Sequence, residues 1–213
     1  MSSHITLMDM GMLATFKSLL LKPLMTVLAV VMLGFGLLTP ALAESGAEST
    51  AEGDSQLEAL FDALSQTKNA DDAQIVTLQI WERWITDNGD ATNISMMRRG
   101  IQFMDSGNLS IAEEVFSRII NRDNSYTEAW NKRATVRYLL NNLEGSEQDI
   151  YEVLIREPRH FGAMSGLGLI KMQQGKLGDA LTIYKDILKI HPNSPDAVRM
   201  VPKLEGILKG SPA

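Results

Sequence analysis

Pro158 and Pro192 stand 34 residues apart, and the segments that lead to them superpose without gaps. A fixed internal period constrains a chain more than any local propensity does. Each unit must be a supersecondary element that cannot bury its apolar face alone, so neighbouring units stack and share one extended core. Three units emerge, at 93–126, 127–160 and 161–194. Small residues recur in register at Gly100, Ala134 and Gly168, and again at Ala112, Ser146 and Ala180. Large ones recur as Leu109, Leu143 and Leu177, as Phe116, Ile150 and Tyr184, as Ile119, Val153 and Ile187, and as Ile120, Leu154 and Leu188. Small residues permit close helix contact, and the large ones fill what remains.

Each unit reads as two helices. In the third, Met164, Leu167 and Leu169 to Met172 lie on one helix, and Leu181, Tyr184, Ile187 and Leu188 follow at helical spacing on a second. The turn between them falls at Ser106-Gly107-Asn108, Asn141-Asn142 and Gly175-Lys176, and Asn and Gly tolerate the left-handed backbone that a helix end and a tight turn both require. Pro158 and Pro192 close the second helix of their units, since proline disfavours helical geometry in the residue before it. The fold class is therefore all-α, a solenoid of three helix hairpins.

These residues resemble the tetratricopeptide repeat family. Its unit has a large apolar residue at the fourth position, matched by Met96, Trp130 and Met164, and Leu followed by a small residue at the seventh and eighth, kept as Leu167-Gly168. Arg99-Gly100 and Arg133-Ala134 stand there in the first two repeats. The small twentieth position is met by Ala112, Ser146 and Ala180, the aromatic twenty-fourth by Phe116 and Tyr184, and the terminal proline by Pro158 and Pro192, with Asn124 in place of the first. The resemblance implies a ligand groove lined by the second, fifth, ninth, twelfth and thirteenth positions of each first helix. Here these include Met97, Ile101, Met104, Asn131, Thr135, Tyr138, Ser165, Leu169 and Met172, with Arg98 and Lys132 beside them at the sixth position. The carboxylate clamp of chaperone-binding members needs Lys and Asn at the fifth and ninth positions of the first repeat. Met97 and Ile101 occupy those positions, which speaks against that ligand class.

The flanks have their own signatures. Lys17 and Lys22 precede an apolar run over 24–38, then Thr39-Pro40 and Ala41-Leu42-Ala43. Basic, apolar and small-x-small is the order of a secretory signal peptide, expected over 1–43 with cleavage after Ala43; the alternative is an uncleaved membrane anchor. A periplasmic destination follows from the first reading. Residues 44–55 are small and acidic, and are expected to form a disordered linker. Over 56–92, Leu57, Leu60, Phe61 and Leu64 form one stripe and Ile75, Leu78, Trp81, Trp84 and Ile85 a second. With Gln66 and Leu78 where small residues belong, this pair reads as a degenerate capping unit. Ser194-Pro195-Asp196 starts a capping helix expected over 195–209, which Pro202 should kink or shorten, and 210–213 is a tail.

Charge and composition exclude several functions. With 20 Lys+Arg against 26 Asp+Glu the net charge is −6, which argues against a nucleic-acid partner. The absence of cysteine removes disulfides, thiol nucleophiles and Cys-ligated metals. His160 and His191 have no ligand-like spacing and read as surface histidines; the stretch Gly162 to Gly168 lacks every phosphate-loop pattern and reads as helix packing. No metal site, cofactor or catalytic constellation is expected, and membrane contact only through the export signal.

One pattern stands out against an acidic background. Arg98-Arg99 and Lys132-Arg133 occupy the same positions of successive first helices, and Arg137 lies one turn beyond Arg133, so the charges form a basic strip. Two roles are open: pairing with Glu113, Glu114 or Asp149, or recognition of an acidic group on a ligand. The expected function is a non-enzymatic interaction module that holds a peptide or partner protein. The alternative is a self-associating structural subunit whose groove is filled by its own tail or by a second copy.

Overall fold

The structure, a computed structural model, describes residues 45–86 and 90–210. The expected signal peptide and the last three residues lie outside the described residues. Every described element is a helix. The three repeats supply α3 (Ala91–Asp105) and α4 (Leu109–Arg122), α5 (Thr127–Leu139) and α6 (Leu143–Arg156), and α7 (Phe161–Gln173) and α8 (Leu177–Ile190). Before them come α1 (Ser45–Gln66) and α2 (Ala70–Thr86), and after them α9 (Pro195–Leu208).

The period in the sequence becomes a period in the backbone. Gly107, Asn141 and Gly175, each 34 residues from the next, have positive φ values of 78°, 62° and 74°. At each, the following N–H reaches back to a carbonyl of the first helix: Asn108 to Phe103, Asn142 to Arg137 and Lys176 to Lys171, at 2.8–2.9 Å. This is a Schellman closure, which satisfies carbonyls that the helix end would leave unpaired.

The small residues of the first helices face the large ones of the second. A Cβ placed on Gly100 would lie 2.5 Å from the Phe116 ring, and one on Gly168 would lie 2.8 Å from the Tyr184 ring. In the middle repeat Ala134 shares a cluster with Ile150, a narrower side chain than either ring. The core is distributed accordingly. One cluster joins repeat 1 to α5 through Met97, Phe116, Tyr126 and Ala129; a second joins repeat 2 to α7 through Ala134, Ile150, Val153 and Ile170. Met96 packs at the edge of the first.

Three expectations need correction. Residues 45–55, expected from composition to be a disordered linker, are the first half of α1; their Ala and Glu residues are good helix formers, and the helix continues into the packed stretch that begins near Leu57. Pro202 does not shorten α9, which runs on to Leu208. The N–H it lacks would have met the Val198 carbonyl, and Val198 and Pro202 are both exposed, so solvent can take that bond. His160 and His191 are not surface residues but are buried.

The N-terminal pair is two helices as expected, but it crosses the first helices of the repeats instead of stacking beside α3 as one more unit. Phe61, Leu64, Ala73, Ile80 and Trp84 share one cluster with Phe161 of α7 and with α8 and α9. The Asn193 side-chain amide donates to the Thr67 carbonyl at 2.8 Å, and Thr77 Oγ1 lies 3.3 Å from His191 Nε2. The Tyr126 hydroxyl donates to the Ile85 carbonyl.

Candidate functional site

The first-helix side of repeats 2 and 3 is built around a buried carboxylate. Glu128, in the first turn of α5, is fully buried and accepts from three donors: Lys132 Nζ at 2.9 Å, the Asn131 amide at 3.1 Å and His160 Nε2 at 3.0 Å. His160 is also the N-cap of α7, where its Nδ1 accepts the Ala163 N–H at 3.1 Å. That bond fixes the tautomer, leaving the hydrogen on Nε2 to be donated to Glu128. Burial alone would push the Glu128 carboxyl up; Lys132 and then His160 more than offset this and hold it below the usual carboxylate range.

Above this cluster lie the two indoles of α2. Trp84 stacks on the His160 ring with centroids 3.8 Å apart and planes 10° from parallel. Trp81 stands edge-on to His160 and Phe161, and Lys132 Nζ lies over its ring at 4.8 Å. Gly162 supplies the room, because a Cβ there would come within 2.4 Å of the Trp81 ring. Arg159 adds a clasp at the edge: its guanidinium lies over Phe61 and pairs with Glu58 at 2.8 Å.

The residues assigned to an open groove divide accordingly. Met97, Met104, Asn131, Lys132 and Ser165 are buried, so an open groove over them is corrected: Met97 packs in the cluster that Ile85 of α2 borders, and Lys132 is covered by Trp81. Ile101, Thr135, Tyr138, Leu169 and Met172 are half-buried, with Tyr138 and Met172 packed at the margins of the core clusters and the Thr135 hydroxyl bonded to the Asn131 carbonyl. The pair Glu128 and His160, together with Phe161 and Gly162, was not singled out from the sequence as a site. The available signal was the misfit of the N-terminal pair to the repeat register: an element that cannot stack as a repeat must bury its indoles somewhere else.

The basic strip divides as well. Arg133 makes a two-pronged bond to Asp149 at 2.8 and 2.9 Å and reaches Ser117 of the preceding repeat; Arg137 joins the same carboxylate at 3.0 Å and Glu113 at 2.8 Å. Both are internal struts. Arg98 and Arg99 are exposed, and among the described residues neither pairs with a carboxylate; Arg99 only leans on Phe103. They border an open recess of ≈ 530 Å³ on the outer face of α3, lined by Ala91, Ile94, Ser95, Arg98, Arg99 and Gln102. Among the described residues no cluster of three or more His, Asp or Glu side chains could hold a metal ion, and no helix is long and apolar enough to cross a membrane.

Fold and site together define an α-solenoid of stacked helix hairpins with its first-helix side partly covered by its own chain. No family model matches the sequence. Over 156 residues, 73% of this chain, it is 31% identical to a TPR repeat-containing protein of Rhizobium etli, of which it covers 76%. The chain belongs to the tetratricopeptide repeat proteins. Two solved structures share the fold at lower identity. The first TPR of Spaghetti (RPAP3), bound to an HSP90 peptide of sequence SRMEEVD, superposes with a TM-score of 0.53 at 19% identity over 57% of this chain and 98% of that one. The crystal structure of MamA gives 0.52 at 16% identity over 80% of this chain and 87% of that one.

Proposed function

We propose that the protein is a non-catalytic interaction module, exported to the periplasm, that holds a peptide or partner protein carrying an acidic group. The observation that carries this reading is the contrast within the basic strip. Arg133 and Arg137 are consumed by Asp149 and Glu113, whereas Arg98 and Arg99 present two guanidiniums to solvent beside a recess with no described carboxylate to neutralise them. In a chain of net charge −6, such a pair favours a carboxylate-bearing partner over a generic anion surface. The peptide bound to the first TPR of Spaghetti, SRMEEVD, is itself acidic, which supports the same class of ligand on this fold. The basic, apolar and small-x-small order of the first 43 residues supports export.

The test is cross-linking of the tagged full chain in its native envelope, read by mass spectrometry. Arg98→Glu with Arg99→Glu is expected to remove the acidic partner while helicity stays unchanged, because both side chains are exposed. An unchanged cross-link profile would reject the charge reading. N-terminal sequencing of the same material is expected to begin at Glu44.

A further inference from the structure

The indole seat has a property that a permanent core lacks: it stays satisfied when uncovered. Glu128, Lys132, Asn131 and His160 are paired with one another across α5 and α7, so removal of α2 breaks none of their bonds and exposes a polar surface. The covering side, by contrast, leaves bonds unmade. Trp84 Nε1 and His191 Nδ1 are buried at this contact with no hydrogen-bond partner, and opening returns both to water. The outer fastenings, Arg159 with Glu58 and Asn193 with Thr67, lie toward the solvent-exposed rim, where polar pairs hold weakly. The seat is nonetheless specific in shape. A flat imidazole, the Cα of Gly162 and an ammonium group together receive two indoles spaced one helical turn apart, and a Cβ on Gly162 would collide with the Trp81 ring.

We propose that this surface, formed by Lys132, His160, Phe161 and Gly162, is a binding site for an amphipathic helix of a partner protein that bears two tryptophans one turn apart, and that α2 occupies it in the closed form. The inference deepens the interaction-module reading and rests on it; it names a second surface, distinct from the recess at Arg98 and Arg99. The partner helix replaces α2 in kind: indole for indole on His160 and beneath Lys132, with its polar face outward. The helix pair then swings away, carrying its exposed Ile75 and Leu78 with it.

The probe is a fluorescein-labelled synthetic peptide with the sequence of residues 70–86, titrated against the full chain. The variant Trp81→Ala with Trp84→Ala, its own occupant weakened, is expected to bind the peptide at least tenfold more tightly than the unaltered chain. A peptide lacking both indoles is expected not to bind it. Equal affinity for the two chains would overturn the proposal. Because the variant can lose its fold, hydrogen exchange on the unaltered chain provides a second, independent test. The amides of α2 are expected to exchange through an opening that leaves α7 and α8 protected, and exchange of all three only together would overturn it. Neither readout involves Arg98, Arg99 or a natural partner, so a failure here is separable from a failure of the acidic-partner reading.

Discussion

Gly100 and Phe116, Ala134 and Ile150, Gly168 and Tyr184 form one rule repeated three times: the wider the side chain on the second helix, the smaller the residue opposite. Gly168→Ala should therefore press on the Tyr184 ring and destabilise the protein by about 1 to 3 kcal/mol, the usual range for overpacking. Adding Tyr184→Ile recreates the pairing of the middle repeat and is expected to recover part of that loss, giving a favourable coupling in a urea double-mutant cycle. A coupling near zero would mean that the two positions do not sense each other. This rule was legible in the sequence, since both columns repeat every 34 residues. The residue opposite Gly162 was not. Its neighbour is Trp81, far away in the chain and outside the periodic region, so no register pointed to it.

At the scale of the helix, position and partner separate in the same way. The hairpin turns were legible because a left-handed residue and its closing bonds are local, within six residues of each other at Gly107, Asn141 and Gly175. The basic strip was legible as a strip, but not which of its members were struts, because that depends on what the adjoining helix offers. Arg133 and Arg137 reach one repeat back, to Ser117 and Glu113, and share Asp149. Asp149 is almost wholly buried, and its replacement by Ala leaves both guanidiniums without their common acceptor. The expected cost is about 3 kcal/mol, read as a fall in the urea midpoint with unchanged helicity at zero denaturant. A change below about 0.5 kcal/mol would show the network to be ornamental in the sense of most surface ion pairs.

For the whole molecule the decisive event is the return of α1 and α2 across the repeats, and it carries a pH dependence. His191 sits beneath α2 beside Thr77, and burial pushes its imidazole down from 6.5 to about 4. Between those two values the unfolded chain binds a proton that the folded chain refuses. This component of stability is therefore complete above pH 6.5, falls as the pH drops toward about 4, and changes no further below that. From pH 7 to pH 5 the loss is expected to be about 2 kcal/mol, at about 1.4 kcal/mol per unit within the window. His191→Phe, which cannot bind a proton, should flatten the curve over that range; parallel curves for the two proteins would remove His191 as the cause. Nothing in the sequence foretold this burial, because His191 precedes Pro192 at a helix end, a place where histidines usually meet solvent.

A helical array can in principle be lengthened by anything that offers another hairpin in register, including a second copy of itself. Arg133 shows where the seventh side chain of a repeat points, into the helix of the unit before it, and Arg99 holds that place at the array's first edge, where no described unit precedes it. Two molecules meeting edge to edge would bring four guanidiniums face to face with no described carboxylate between them. Like charge thus acts as a chain terminator, opposing growth of the three-hairpin array at the end its own helices leave open.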